Sequence, residues 1–522
     1  MKTIIRNITL FIIFVTMSVL AGCGGDASSP VTNVTSSLAV YYVDSISGND
    51  NNDGLSPNTA WKSLTKVNAT TFQAGSTISF KAGCMWTGQL YPKGSGTGGN
   101  PITIDMYGSG NKPVIAGGGT VADTFYLYNQ QYWVVKNLEI TNDSASAGKR
   151  KGVHIVAQNI GTCNFIHLQN LYVHHVKGDN TDKLTGGIVI EVLGNVTPTK
   201  FNDVLIDGCT VKNVDRTGIE TMSYWQARGG HQSSGGVWTP STNLVVSNNV
   251  LEDIGGDGIV IRHATAPLIQ YNVASNCNNR ANTYNAAFWP GNADDAVFQY
   301  NEAYLTHLTQ DGQGFDCDYD CNRTIIQYNY SHDNEGGFLL VCCNGTEAGS
   351  FNRDSVIRYN ISQNDGINGS RIFHITGNTS NTKIYNNTIY LASGSVDVIR
   401  HDSWGGYPNG TQYYNNIFYN LGFGGYTFGS STDNVFDYNA FYGNHPATEP
   451  VDAHKLTSDP RLMSPGSGGI GRDSVGGYKL STGSPALGSG KLIPDNGGKD
   501  YWGNGVSSTV PPNRGAYNGT GI

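Results

Sequence analysis

Five carboxylates lie in one short stretch of a chain that is otherwise poor in charge. Only 14% of the 522 residues are charged, yet the segment GFDCDYDCNRTIIQYNYSHDNEGGF, residues 314–338, carries acids at Asp316, Asp318, Asp320, Asp333 and Glu335. Paired carboxyl groups can protonate a leaving oxygen and supply a nucleophile or activate water, which is the chemistry of glycosidic bond cleavage. Clustered carboxylates can also bind Ca²⁺. The segment is therefore the first candidate for a catalytic or metal site.

The elements that must position these acids are short strands in a repeated unit. The line apolar-x-apolar-x-x-Asn-apolar recurs, as in LVVSNNVLE, VFQYNEAY and VIRYNISQ. Its Asn stands at ten positions, and Gly208 fills one gap between them: Asn137, Asn170, Asn249, Asn272, Asn301, Asn329, Asn360, Asn387, Asn416 and Asn439. With Gly208 counted, the spacing is 23 to 41 residues and averages about 30, as expected of a stacked solenoid. A buried Asn column can satisfy its own amides by bonding along the stack.

A second strand follows a small-residue turn in each repeat, as in GGIVIEV, DGIVIRH, QGFDCDY and GGFLLVC. The first and third residues after the turn are mostly apolar, and residues two apart share one face of a strand. This pattern predicts that Phe338 and Leu340 point into the core and that Asp316 and Asp318 point outward.

A coil of about 30 residues with short strands, an Asn corner and no internal helix resembles the right-handed parallel β-helix of the pectate-lyase-like superfamily. The resemblance implies an all-β, single-stranded right-handed parallel β-helix of about 10–11 coils. The segment TAWKSLTKVNAT, with apolar residues at helical intervals, predicts a short N-terminal capping helix. We place the β-helix at residues 39–450 and an irregular C-terminal capping segment at residues 451–522.

The first residues have the layout of an export signal, with Lys2 and Arg6 before an apolar run. Leu20-Ala21-Gly22-Cys23 resembles a bacterial lipobox, so we expect a lipoprotein signal peptide at 1–22, acylation of Cys23 and a flexible tether at 23–38. This predicts an exported bacterial lipoprotein anchored at the outer membrane or cell surface. A plain secretory signal, which gives a secreted protein, is the alternative.

Charge and composition bear on the partner. The net charge of -8 argues against a nucleic-acid-binding surface and favours a polysaccharide or oligosaccharide. We expect a monomer. Eight cysteines follow Cys23, and they are compatible with disulfides or with buried free thiols, but no CxxC pair indicates a zinc site.

Stacked coils would align the outward residues into a groove with acids at its centre. The catalytic candidates are two strand acids and three acids on turns, namely Asp316, Asp318, Glu335, Asp311 and Asp257. The substrate-binding candidates are Glu220, Arg262, His263, Trp289, His401 and Trp238, the last from a Gly/Ser-rich insertion. Turn acids can simply shape corners, whereas strands disfavour Asp, so the two strand acids carry the functional hypothesis.

The segment FDCDYDCNRTIIQYNYSHDN is similar to a segment of β-helix glycosidases of the β-xylosidase type, and this resemblance gives Asp318 the place of the nucleophile. That family's acid/base Glu would fall near Leu340, where this chain has no acid, so Glu335 is the substitute candidate. The sequence thus favours a glycoside hydrolase that cleaves a glycan bound along the groove.

Two other functions stay open. A calcium-dependent polysaccharide lyase would use Asp residues such as Asp294 and Asp295 as metal ligands and a basic residue for proton abstraction, but no lysine occurs between Lys212 and Lys383. A surface protein that binds glycans without cleaving them would use the same groove. No cofactor other than calcium is indicated.

Overall fold

In a computed structural model, which describes residues 38–366 and 368–522, the chain forms a right-handed parallel β-helix. Three long sheets of 15, 13 and 11 parallel strands run along it, and a small fourth sheet has three strands. The predicted fold class is confirmed. The main path of the first sheet has 14 strands, more than the predicted 10–11 coils, because the three strands before Trp133 lie in coils without the recurrent Asn.

The strand bounds follow the order of stacking in each sheet. The first sheet contains Val40–Val43, Thr77–Lys81, Ile102–Tyr107, Trp133–Lys136, Thr162–Gln169, Lys200–Asp207, Ser241–Ser247, Leu268–Gln270, Val297–Gln299, Ile325–Gln327, Val356–Arg358, Lys383–Tyr385, Gln412–Tyr414 and Val435–Asp437, with Ala264–Thr265 as a side branch. The second contains Met85–Thr87, Val114–Ala116, Glu139–Asn142, Tyr172–Val176, Thr210–Val214, Val250–Ile254, Val273–Ser275, Glu302–Tyr304, Tyr330–His332, Ile361–Gln363, Thr388–Leu391, Ile417–Asn420 and Ala440–Gly443. The third contains Asp123–Tyr128, Lys151–Gln158, Gly186–Leu193, Thr217–Ser223, Ile259–Arg262, Phe288–Gly291, Gln313–Cys317, Gly337–Cys343, Arg371–Gly377, Asp397–Asp402 and Tyr426–Thr427. The small sheet contains Cys321–Asn322, Asn352–Arg353 and Thr379–Ser380.

An Asn ladder marks the corner between the first and second sheets, but it begins later than the sequence pattern predicts. From Asn249 to Asn439 each side-chain amide Nδ2 donates a hydrogen bond to the side-chain Oδ1 of the Asn in the following coil, at 2.9–3.1 Å. In the preceding coil Cys209, not Gly208, takes this place, and its backbone N–H donates to Asn249 at 2.9 Å. Asn137 and Asn170 stand one residue earlier in their coils, at positive φ, where Asn is tolerated at a turn.

The predicted N-terminal helix is present and shorter than its pattern, spanning Leu64–Ala69. The Ser63 hydroxyl caps it by accepting a hydrogen bond from the Lys66 backbone N–H at 3.2 Å. Leu64 and Val67 are buried and belong to the main apolar core, so the helix covers the first coil. Short 3₁₀ turns span Pro57–Thr59, Gly229–His231 and Arg472–Tyr478. Among the described residues no helix has the length and apolarity needed to cross a bilayer.

The C-terminal segment lies along the flank of the β-helix as well as at its end. Its apolar residues Val475, Tyr478 and Leu480 form a second core with outward side chains of the second sheet, such as Tyr330 and Ile361. This differs from a simple end cap because those outward side chains are apolar and need cover. At the end of the stack, Asp452 accepts from the backbone and side-chain amides of Asn439 at 2.8 and 3.0 Å and so terminates the ladder.

The eight cysteines of the described part are all buried and unpaired: Cys84, Cys163, Cys209, Cys277, Cys317, Cys321, Cys342 and Cys343. Of the two alternatives drawn from the sequence, the structure shows buried free thiols. The predicted signal peptide at 1–22, the acylated Cys23 and the tether up to residue 37 lie outside the described residues.

Candidate active site

A cavity of about 590 Å³ opens on the outer face of the third sheet. Its floor is built by five consecutive strands, from Phe288–Gly291 to Asp397–Asp402, and its walls by the loops before and after them. The lining includes Lys183, Tyr284, Asn285, Ala286, Trp289, Gln310, Asp311, Asp316, Asp318, Leu340, Cys342, Arg371, His374, Thr376, Asp402, Ser403 and Trp404. The volume is in the range of sites that hold a small molecule or the end of a chain.

Asp316 and Asp318 lie together on the cavity floor, as the strand alternation predicts. Phe315 and Cys317 point into the core, so the acids between and after them face outward. The Cys342 thiol lies 3.1 Å from Asp318 Oδ1, to which it donates, and 3.9 Å from Asp316 Oδ1. Ligand atoms of these three side chains all lie within 4.8 Å of one another.

The ionisation of the two acids follows from burial and mutual repulsion. Burial, together with the neighbouring charges of Asp318 and Asp311, raises the pKa of Asp316 well above its ordinary value. Burial also raises the pKa of Asp318, but the Cys342 thiol, the Tyr319 backbone N–H and the charge of Lys183 oppose that rise. Asp318 is therefore the more readily ionised member of the pair.

Asp311 stands on the loop before the same strand and also lines the cavity. Burial raises its pKa to about 6, with the charge of Arg371 acting in the opposite direction and that of Asp318 in the same direction. A carboxyl group with this pKa can hold a proton near neutral pH and release it during a reaction. The site therefore combines Asp318, the more readily ionised acid of the floor pair, with a carboxyl group suited to proton transfer.

The register of the next strand differs from the prediction by one residue. Phe315 pairs with Leu339 and Asp316 with Leu340, so Leu340 faces the cavity while both Phe338 and Leu339 join the core. Gly337, at φ 124°, already belongs to the strand and pairs with Gln313, so Phe338 stands where the preceding strand has Gly314. Counting from the turn therefore misplaced every outward residue on this strand and on those after it.

The corrected register brings His374, Thr376 and Asp402 to the cavity and removes His401 from it. His401 is buried in the interior, where its Nε2 lies 2.9 Å from the Tyr413 hydroxyl. Burial lowers the pKa of His401 to about 3, so its ring is neutral. It has no direct access to a ligand in the cavity.

Asp257 is fully buried behind the cavity wall and organises a cluster of cationic groups. It accepts from Arg216 at 3.0 Å and from the Trp289 indole N–H at 2.8 Å, and Lys183 Nζ lies 3.3 Å away. Burial alone would raise its pKa, but the charges of Lys183 and Arg216 outweigh that effect and the pKa is lowered. Asp257 thus holds Trp289 and Lys183 in the wall instead of facing a ligand.

Lys183 is a cavity residue that the sequence interpretation missed. It lies on the loop before Gly186–Leu193, several coils away, and its Nζ sits 4.6 Å from the centroid of the Trp289 ring. Burial lowers the pKa of this lysine. Lys183 precedes the lysine-free central coils in the chain, and no local sequence signal marks a residue that reaches the site across the stack.

The remaining candidates lie near the cavity without lining it. The Glu335 carboxylate accepts from the Leu308 backbone N–H at 2.7 Å and lies 3.4 Å from His307. Arg262 forms an ion pair with the buried Glu220.

His263 is buried beside these groups, and burial lowers its pKa well below the ordinary value. Trp238 packs on the guanidinium of Arg228 at 3.6 Å from its ring centroid. Both lie outside the lining of the cavity.

The predicted calcium ligands are bound by arginines. Asp294 pairs with Arg228 at 3.0 Å, and Asp295 accepts two hydrogen bonds from Arg323 at 2.6 and 2.8 Å. Within the described part of the chain, the group of side chains close enough to share a metal ion is Asp316, Asp318 and Cys342. A thiol is a poor ligand for calcium, which prefers oxygen.

Comparison with known proteins gives the site its context. The chain is 30% identical over 579 aligned positions to a lacto-N-biosidase of Bifidobacterium longum, covering 88% of this chain and 35% of that protein. It therefore spans about a third of the length of this curated relative. A crystal structure of GH136 lacto-N-biosidase from Eubacterium ramulus superposes with a TM-score of 0.60 at 26% identity, covering 76% of this chain and 67% of that one.

The structure of XylC with xylose superposes with a TM-score of 0.50 at 12% identity, covering 92% of this chain and 98% of that one, which is a likeness of fold. No protein-family model matches the chain.

Proposed function

We propose that this protein is a glycoside hydrolase that binds the end of an oligosaccharide in the cavity and releases a disaccharide of the lacto-N-biose type. The observation that carries the proposal is the set of three carboxyl groups, Asp311, Asp316 and Asp318, that line one cavity. The similarity to lacto-N-biosidases supports the same activity class and suggests the substrate.

Asp318 is proposed as the nucleophile. It lies on the floor, is partly exposed and carries a thiol hydrogen bond that stabilises its charged form. The β-xylosidase-type segment also gives it this place. Its carboxylate would attack the anomeric carbon and form a covalent glycosyl bond as the bond to the leaving oxygen breaks.

Asp311 is proposed as the acid and base. With a pKa of about 6 it can donate its proton to the leaving oxygen and then remove one from the water that hydrolyses the intermediate. Glu335, the acid predicted from the sequence, is less suitable because its carboxylate is bound to the Leu308 backbone outside the cavity.

Asp316 is proposed to stay protonated. Its burial and its two acidic neighbours favour the neutral carboxyl group, which can donate a hydrogen bond to the sugar or to Asp318. The oxygens of Asp316 and Asp318 lie too close to admit a water molecule between them as an inverting acid and base would require, at about 6.5–9.5 Å. We assign Asp316 a supporting role because burial and the charges of Asp318 and Asp311 keep its carboxyl group protonated, whereas Asp311, with a pKa of about 6, can exchange its proton.

The test uses 4-nitrophenyl glycosides of lacto-N-biose and of several monosaccharides. D318N should lower kcat/KM by about 1000-fold or more, and D203N, an outward Asp of the first sheet, should leave it unchanged. D318G with added azide should yield a glycosyl azide, since azide replaces the missing nucleophile. D311N should retain most of its first-step rate only on a 2,4-dinitrophenyl glycoside, whose leaving group needs no proton. Full activity of D318N on every glycoside would contradict the proposal.

The same samples decide between the alternatives left by the sequence. Absorbance near 235 nm on an acidic polysaccharide would indicate elimination by a lyase, and binding without any product would indicate a glycan-binding protein. Loss of activity in EDTA, restored by Ca²⁺, would establish the calcium requirement that the cluster of Asp residues suggested.

We also propose, from the sequence alone, that the protein is exported and anchored through an acylated Cys23 and acts as a monomer. Metabolic labelling with an alkyne-tagged fatty acid should modify the unsubstituted chain and leave C23A unlabelled. Sedimentation of the soluble C23A variant should give one species near the mass of the chain, 55.9 kDa before processing. Labelling of C23A to the same extent would rule out this anchor.

A further inference from the structure

The outward row that starts at Asp318 continues along the cavity floor to a second acid. Cys342 occupies the next rung, followed by Thr376 and then Asp402. Three rungs correspond to about 14 Å between the first and last Cα atoms. The two intervening side chains are small, so the floor between Asp318 and Asp402 has room for two linked pyranose rings.

Asp402 presents a charged acceptor at the far end of this row. Its side chain is 45% exposed, and its carboxylate lies 3.0 Å from Arg400 Nε and 3.6 Å from His374 Nε2. The interaction with His374 lowers the pKa of Asp402 to about 2, with partial burial acting in the opposite direction. The group is thus an ionised acceptor with free oxygen surface toward the cavity.

His374 stands behind this carboxylate as a neutral ring. Burial lowers its pKa to about 4, with Asp402 opposing the shift. Only 8% of the residue is exposed, and neither ring nitrogen has a hydrogen-bond partner within the described structure. The neutral imidazole therefore lies beside Asp402 without adding a charge, and the cation that contacts this carboxylate is Arg400.

Trp404 adds an apolar surface beside Asp402. It is 37% exposed, and its ring packs edge to face on Tyr319 at 5.9 Å. Tyr319 in turn stacks on His231 at 5.0 Å and directly follows Asp318 in the chain. The indole is therefore supported from the side of Asp318, the proposed nucleophile, and Trp404 lines the cavity.

We infer that Asp402 and Trp404 form the subsite that recognises the sugar ring adjoining the one attacked at Asp318. The indole packs against the apolar face of a neutral pyranose, and the carboxylate accepts hydrogen bonds from two neighbouring hydroxyl groups. The charge of Asp402 disfavours a sugar that carries a carboxylate or sulfate at this place. This inference rests on the proposed glycosidase function and names the residues that select its substrate.

The first experiment measures binding of free lacto-N-biose, which the enzyme does not cleave, to the full chain by calorimetry. D402N and W404A should each raise the Kd by about tenfold or more, since each removes a charge-assisted hydrogen-bond acceptor or a stacking surface. The matched control is D203N, because Asp203 also faces a histidine, His167, at 2.9 Å on another sheet. It should bind as the unsubstituted chain does.

The second experiment separates specificity from chemistry. D402N and W404A should raise KM for the 4-nitrophenyl disaccharide, while cleavage of a 4-nitrophenyl monosaccharide changes less than about threefold. W404F, which retains a ring, should recover most of the binding and guards against misfolding of W404A.

The inference is overturned if lacto-N-biose fails to bind the unsubstituted chain, or if D402N and W404A bind it as tightly as D203N does. Failure of the proposed function gives a different result, namely no cleavage of any aryl glycoside by the unsubstituted chain, whatever the calorimetry shows.

Discussion

Replacing Asp311 by Asn should stabilise the fold at neutral pH while it removes the proposed acid. The pKa of Asp311 is raised from 3.8 to about 6 mainly by burial, so folding favours the protonated form. At about 1.4 kcal/mol per pKa unit, the ionised carboxylate costs up to about 3 kcal/mol of folding free energy above pH 6. Because its folded-state pKa is raised, this cost is absent below pH 3.8 and grows as the pH rises from 3.8 to about 6.

Urea unfolding followed by tryptophan fluorescence at pH 4.5 and pH 7.5 measures the effect. The free energy of unfolding of D311N should exceed that of the unsubstituted chain by about 3 kcal/mol at pH 7.5 and by only about 1 kcal/mol at pH 4.5. The control is D53N, since hydrogen bonds from Leu55 and Thr59 lower the pKa of exposed Asp53 and its replacement should destabilise, if anything, at the higher pH. The reasoning is refuted if D311N gains no stability at pH 7.5, or gains as much at pH 4.5.

Three further replacements test other parts of the structure. C342A should raise the pKa of Asp318, shift the acidic limb of the pH profile of kcat/KM to higher pH and lower kcat/KM about tenfold at its optimum. C342S keeps a hydrogen-bond donor, so its kcat/KM should stay within about threefold of the unsubstituted chain. Equal pH profiles for the two variants would contradict the role of the thiol. N329A removes a fully buried member of the Asn ladder and should lower the free energy of unfolding in urea by about 3 kcal/mol. N137A, which lies outside the ladder, should lower it by less than about 1 kcal/mol. Similar losses for the two variants would show that the ladder does not stabilise the stack. D257N leaves Lys183 and the buried Arg216 without a counter-charge, so it should lower the free energy of unfolding by about 3–5 kcal/mol and lower the thermal midpoint. An unchanged midpoint would refute the role given to Asp257 in the cavity wall.

The architecture could be predicted from the sequence because a solenoid repeats a local pattern. The alternation around Phe315 and Cys317 fixes which side chains enter the core, and the same alternation turns Asp316 and Asp318 outward. The recurrent Asn marked the corner of most coils. The prediction of ladder positions was wrong at Asn137 and Asn170. In a coil with a single Asn, the sequence does not show whether that Asn is the positive-φ turn residue or the ladder residue.

The composition of the site was less accessible. Gly337, before Phe338, lies in the strand and not in the turn, so the predicted register was displaced by one residue, and such a displacement exchanges the two faces of a strand. His401 therefore moved into the core, and Asp402, with His374 on the preceding strand, moved into the cavity. Whether a glycine belongs to the turn or to the strand depends on backbone conformation that residue types alone leave open.

The sequence by itself determined the β-helix, inward-facing residues such as Phe315 and Cys317, and the presence of Asp311, Asp316 and Asp318 on one region of the surface, because each depends on local periodicity. Only the tertiary structure decided that Lys183 and Trp404 close a cavity around those acids, that Glu335 binds the backbone instead, and that Asp311 has its pKa near 6. These features depend on burial and on distances between coils far apart in the chain, which a repeat pattern does not encode.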